Sequence, residues 1–180
     1  LKFDDVMNDQ RQVIFDQRKE IMGASNVQST VLDMRNETIT NLVAKNIPEG
    51  KFVDKWDGEG LKKDALRILG LQINFLNWFT EDGISEKEIE TRLSNLSDEH
   101  LAKRTAMFGP EVFRQAEKSL LLQVLDQQWK DHLNSLEQLR QSIGLRAYGQ
   151  KDPLNEYKRE AFILFEAMLQ NVRTVITSIL

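Results

Sequence analysis

The chain contains no cysteine, which excludes disulfide frameworks, thiolate metal sites and cysteine nucleophiles in one step. It has two histidines; His100 and His132 do not stand at a metal-ligand spacing with a further His or Cys, so both are read as packed or surface side chains. Proline occurs three times, at 48, 110 and 153, and glycine nine times in 180 residues. Helix breakers are therefore few and widely separated. No uninterrupted apolar run approaches the roughly 18 residues needed to cross a bilayer, and no signal-type opening is present; a cytoplasmic chain is expected. The net charge of -4 lacks the basic excess that phosphate neutralisation requires, so nucleic acid is not an expected partner. The phosphate-cradling pattern G-x-x-x-x-G-K followed by Ser or Thr is absent, and "WDGEGLKK" at 56–63 has its glycines and lysines wrongly spaced for it. No P-loop is expected within these residues. Asp4 and Asp5 are neighbours, which do not face each other on a helix, so they are read as solvated or capping carboxylates rather than an acid pair.

What remains is 41% hydrophobic and 29% charged, a balance that suits a folded globular chain. Apolar residues recur at spacings of three and four, which predicts an all-α protein. A first helix places Phe3, Val6, Val13, Ile14 and Ile21 on one stripe until Gly23 and Ser25 weaken it. From Val27 to Phe108 the elements are shorter: a helix near Val31 to Ala44, the breaker "NIPEG", a loop "WDGEG", a short helix from Leu61, and "TEDG". Ser85 and Glu88 then form a capping-box pattern ahead of Ile89, Leu93 and Leu96. Trp56, Trp78 and Phe79 in this module are read as core aromatics.

After "FGP" at 108–110 the texture changes, because Pro110 suits a first helical turn and no further Gly or Pro occurs until Gly144. One long helix is expected, with Leu122, Leu125, Trp129, Leu133, Leu136, Leu139 and Ile143 on its apolar stripe. Asp152 is a good N-cap and Pro153 a good first residue for another helix, striped by Leu154, Tyr157, Ala161, Leu164, Phe165, Met168, Val172, Val175 and Ile179. Two striped helices with a short connection predict an antiparallel hairpin. Its connecting segment carries Arg146, Tyr148 and Lys151, whereas a plain turn can be built from Gly, Asn and Ser.

The blocks "FDDVMNDQR" at 3–11, "LLLQVLDQQWKDHLNSLEQLRQSI" at 120–143 and "YGQKDPLNEYKREAF" at 148–162 resemble the SecA family, motor ATPases of the bacterial Sec export pathway. That resemblance implies three segments: 1–26 as the long-helix part of a helical scaffold domain, 27–108 as an inserted helical wing domain, and 109–180 as the scaffold's two-helix finger. It implies that Tyr148, at the finger tip, contacts the translocating preprotein at the mouth of the SecY channel. Arg146 and Lys151 are further candidates for channel or lipid contact. The loop departs from the commoner family pattern, having Ala147 before Tyr148 and Gly149 after it.

The implied full-length protein is an ATP-driven translocase using ATP and Mg, with a zinc-bearing cysteine tail. None of its nucleotide-binding domains falls in these residues, so no catalytic residue, cofactor site or metal site is assigned here. The chain also begins at Leu1 without a methionine, which reads as part of a longer protein. Implied partners are the SecYEG channel, unfolded preprotein, the nucleotide-binding domains of the same chain and, peripherally, the inner face of the cell membrane. A phenol ring at a loop tip offers apolar area and a hydroxyl, which lets it touch varied polypeptides without selecting one sequence. An alternative reading is a free-standing helical adaptor that binds a partner helix by its apolar stripe. Upstream helicase-like domains in the same reading frame would decide between the two.

Overall fold

A computed structural model describes residues 2–146 and 152–180. Among them there are helices and turns but no strand: α1 (Lys2–Gly23), α2 (Gln28–Asn46), α3 (Gly58–Asp64), α4 (Phe75–Phe79), α5 (Glu86–Phe108), α6 (Pro110–Arg146) and α7 (Pro153–Ile179). A 3-10 turn at Val53–Lys55 and a π turn at Ala65–Leu69 complete the set. The all-α expectation holds. Contacts divide the chain into two compact units, Leu1–Val27 with Lys118–Val172 and Gln28–Glu117 with Arg173–Leu180.

The first unit is a three-helix arrangement. At 37 residues, α6 is about 55 Å long at roughly 1.5 Å per residue. It begins where Gly109 takes a left-handed φ of 91°, a conformation that costs an L side chain 1–2 kcal/mol or so but glycine almost nothing. Pro110 is its first residue, where a missing N–H is harmless. At the other end of the hairpin the Asp152 carboxylate accepts from the Leu154 N–H at 3.1 Å, capping α7 ahead of Pro153 as expected.

The helices run antiparallel, since Gln128 meets Asn171 and His132 meets Phe165, while Arg146 meets Glu160. Along the same hairpin α1 is antiparallel to α6: Asp4 pairs with Arg140, Gln10 with His132, Arg18 with Asp126, and the Lys118 ammonium donates to the carbonyls of Met22 and Ala24. Leu136, Leu139, Ile143, Tyr157 and Ala161 form a core with Phe3, Val6 and Met7 packed against it.

The stripes match the periodicity reading in part: Ile14, Ile21, Leu125, Leu136, Leu139 and Ile143 are buried as expected, but other positions differ. On α1 the inward positions are Gln10, Ile14 and Ile21, whereas Val13 is exposed. On the part of α6 in the first unit they are Leu121, Val124, Leu125, His132, Leu136, Leu139 and Ile143, with Trp129 and Leu133 half-buried on the flanks. A helix wedged against two others buries a wide arc, and the middle of that arc belongs to residues that touch both neighbours. Here they include a polar pair.

A further correction concerns α7. Uninterrupted runs in the sequence are short, yet over an 18-residue window this helix is long and apolar enough, by length and composition, to cross a membrane. Polar residues spaced along it break the runs, while the apolar ones between them keep the average of the window high enough. One face of it, Tyr157, Ala161, Phe165, Met168 and Val172, is buried in the first unit, while Phe162 and Ile163 on the opposite side are exposed.

The second unit has its own core of Ile39, Leu42, Val43, Ile47, Leu61, Ala65, Ile68, Leu69, Phe75, Ile89 and Leu93. Trp56, Trp78 and Phe79 pack against that core, with Trp56 edge-on to Phe79 at 5.1 Å and Phe75 edge-on to Trp78 at 5.2 Å, the preferred aromatic geometry. The Ser85 hydroxyl caps α5 by accepting from the Glu88 N–H at 3.2 Å, and Glu88 pairs with Arg92 rather than closing the box.

Only the first two residues of "WDGEG", Trp56 and Asp57, lie outside a helix. Asp57 is the N-cap of α3, accepting from the Gly60 N–H at 2.8 Å, and the two glycines lie in the helix's first turn. A Cβ at Gly60 would come within 2.4 Å of both Asn46 Oδ1 and Asp57 Oδ2. Glycine is there because a polar node needs the space: Asn46 Nδ2 also donates to the buried Asp64 carboxylate at 3.0 Å, joined by Lys45 and Arg67. Burial alone would raise the Asp64 pKa, but these donors outweigh it and hold the carboxyl below its ordinary value.

Candidate functional site

Of the residues singled out in the sequence, Arg146 lies at the α6–α7 end of the first unit. Tyr148 and Lys151 lie outside the described residues. Arg146, the last described residue of α6, is engaged within the hairpin. Its Nε and Nη2 donate to the Ser142 hydroxyl at 3.2 and 3.0 Å, and its Nη1 donates to both carboxylate oxygens of Glu160 at 3.0 and 3.1 Å. Helix α6 therefore continues two residues past Gly144, although glycine is about 1 kcal/mol worse than alanine in a helix interior. Leu145 beside it is exposed.

About four turns further along α6 lies a polar site that sequence reasoning missed. Gln10 on α1 donates from Nε2 to the Ala161 carbonyl on α7 at 3.1 Å, and its Oε1 meets His132 Nε2 on α6 at 2.7 Å. Because the Gln10 amide nitrogen is committed to a carbonyl, its oxygen is the acceptor, and His132 carries its proton on Nε2. The imidazole lies between Trp129 and Phe165, with ring centroids 5.5 and 5.6 Å away. Burial in this apolar slot lowers the His132 pKa, so the ring is neutral at pH 7. One amide thus ties three helices together. The signal available in the sequence was a histidine on an apolar stripe; its partner, 122 positions away, was not readable.

His100 lies half-buried on α5 in the second unit. Among the described residues no group of three or more His, Asp or Glu side chains is placed to hold a metal ion. Among the described residues, those at the hairpin end include no converging nucleophile and base. They offer a two-helix stem braced by α1 through Asp4–Arg140, Gln10–His132 and Arg18–Asp126.

A family description, SecA wing and scaffold domain, matches residues 1–180. The chain belongs to the SecA wing and scaffold domain family. Among its relatives, the protein translocase subunit SecA 1 of Rhodopseudomonas palustris (strain BisA53) is 51% identical over 178 residues, covering 99% of this chain and 19% of the relative. The protein translocase subunit SecA of Afipia carboxidovorans is 50% identical over 178 residues, again 99% of this chain and 19% of the relative. The SecA 1 of Nitrobacter hamburgensis is 48% identical over 177 residues. The chain spans about a fifth of the length of these curated relatives. Within the SecA wing and scaffold domain, the hairpin of α6 and α7 with α1 laid along it is the part that carries Arg146, Tyr148 and Lys151.

Proposed function

We propose that this region is a mechanical element of an ATP-driven SecA translocase, transmitting nucleotide-driven motion to an unfolded preprotein at the SecY channel through the α6–α7 hairpin. In this reading 1–26 and 109–180 form the helical scaffold, with the hairpin as its two-helix finger, and 27–108 form the wing. ATP and Mg are bound by domains of the longer protein, and the region works at the cytoplasmic face of the cell membrane. The observation that carries the reading is membership of the SecA wing and scaffold family over the whole chain.

The physics of the hairpin supports it. A lever must not bend under load, and this one is two long helices whose facing side chains are buried from Leu121 to Ile143. Its third helix adds an ion pair or hydrogen bond about every two turns, from Asp4–Arg140 to Arg18–Asp126. Tyr148 supplies the contact with the moving chain and Lys151 a cation for channel or lipid groups.

The test uses a full-length SecA containing this region. Tyr148→Ala should lower preprotein translocation strongly while nucleotide binding is unchanged, and Tyr148→Phe should lie between the two. Unaltered translocation by Tyr148→Ala would refute the assignment. Translocation falling only in proportion to a loss of folded protein would refute it equally.

A further inference from the structure

We infer that Arg146 is a positioning residue, which locks the last turn of α6 to α7 and so fixes the stem that presents Tyr148. The inference rests on the proposed role of the hairpin. A side chain serving as a contact for channel or lipid would keep its donors outward. Arg146 instead spends all three guanidinium nitrogens on the hairpin, two on Ser142 and one on both oxygens of Glu160.

The partners divide the work. Ser142 lies one turn back on the same helix, so its two bonds hold the side chain along the α6 axis. Glu160 is 14 residues on and belongs to α7, so its bonds cross the hairpin. Only a planar fork can do both at once; a lysine ammonium in the same place is a single point donor. A cation in the last turn of a helix also complements the carbonyl end of its dipole.

The need for such a lock is visible in the sequence. Gly144 is a weak point two residues before the helix end, where the last four carbonyls lack helical partners. A turn that frays there would let the stem, and the residues it presents, wander. Glu160 sits one residue before Ala161, whose carbonyl accepts from Gln10. The lock and the buried Gln10–His132 node therefore grip the same turn of α7, one from the end of the hairpin and one from its interior.

The experiment has two arms. In this 180-residue chain, hydrogen exchange of the amides at 142–146 is compared for Arg146→Ala, Glu160→Ala and Arg146→Lys. Each should accelerate exchange about tenfold in the last turn of α6 with little change near Leu125, as expected for a local opening. Unchanged exchange in Arg146→Ala would overturn the inference.

In full-length SecA, translocation and ATPase activity are measured for Arg146→Ala, Glu160→Ala, the double variant, and the exchange of Arg146→Glu with Glu160→Arg. A lock predicts similar losses for both singles, a double no worse than either, and partial recovery on exchange, because the residues act as one unit. The nucleotide KM should not move. Loss with Arg146→Ala but none with Glu160→Ala would instead identify a direct contact and overturn the inference. Should Tyr148→Ala also leave translocation intact while the exchange rates change as stated, the lock stands and the translocase role of the hairpin falls.

Discussion

Gln10→Ala should be among the most damaging single polar substitutions in the first unit, although the residue is one glutamine on a charged helix. Gln10 is 8% exposed and His132 4%. Truncation removes the acceptor of the His132 Nε2 proton and the donor to the Ala161 carbonyl. That carbonyl, inside α7, keeps its helical partner, so its loss is small. The imidazole N–H is left buried between Trp129 and Phe165 without a partner, which costs about 1–3 kcal/mol. Removing the methylenes and the tie to α7 adds about 1 kcal/mol, for an expected total of about 2–4 kcal/mol. For a chain of this size each kcal/mol lowers Tm by roughly 2–4 °C, so a fall of about 4–16 °C is expected.

Thermal unfolding followed by far-ultraviolet circular dichroism at pH 7.5 measures it. A partner experiment tests the cause. Replacing both Gln10 and His132 by leucine removes donor and acceptor together, and the double variant should be markedly more stable than the sum of the single losses. A Tm within about 1 °C of wild type for Gln10→Ala would refute the reasoning, since a surface substitution behaves that way. So would strictly additive losses.

Other outcomes follow from the same structure. Burial lowers the folded-state pKa of His132, so its contribution to stability is complete above the unfolded value of about 6.5 and is lost as pH falls from there toward the folded pKa; denaturant midpoints between pH 7.5 and 5 should show this fall, and it should be absent in His132→Leu. Leu136 is 2% exposed, so Leu136→Ala should cost about 2–5 kcal/mol, whereas half-buried Leu133 should cost less than half of that under identical denaturant titration. At Gly60 an added methyl collides with Asn46 and Asp57, so Gly60→Ala should cost about 1–2 kcal/mol by displacing the α3 cap; an unchanged midpoint would show that the node relaxes freely.

Much of this molecule was fixed by local chemistry alone. Ser85, Gly109 with Pro110, and Asp152 with Pro153 set helix boundaries where expected, because a cap or a missing N–H acts within one turn of chain. Apolar spacing of three and four settled the helical class and the α6–α7 hairpin, and long blocks at both ends pointed to the family. Tertiary structure decided the rest. Periodicity shows that a helix has a buried stripe but not where the stripe is centred, which depends on how many neighbours it has; hence Gln10 and His132 point inward while Val13 points out. Asp57 caps α3 locally, but that Gly60 has no room for a side chain is decided by Asn46, from the end of α2, which packs over it. Arg35 is buried on α2 because the Ser97 carbonyl and the Asp98 carboxylate of α5 receive it, 62 and 63 residues away. Arg146 is a lock rather than a loose loop charge because Glu160 waits on the next helix. A buried polar group is tolerable only beside its partner, and where partners lie far apart along the chain, only the folded molecule brings them together.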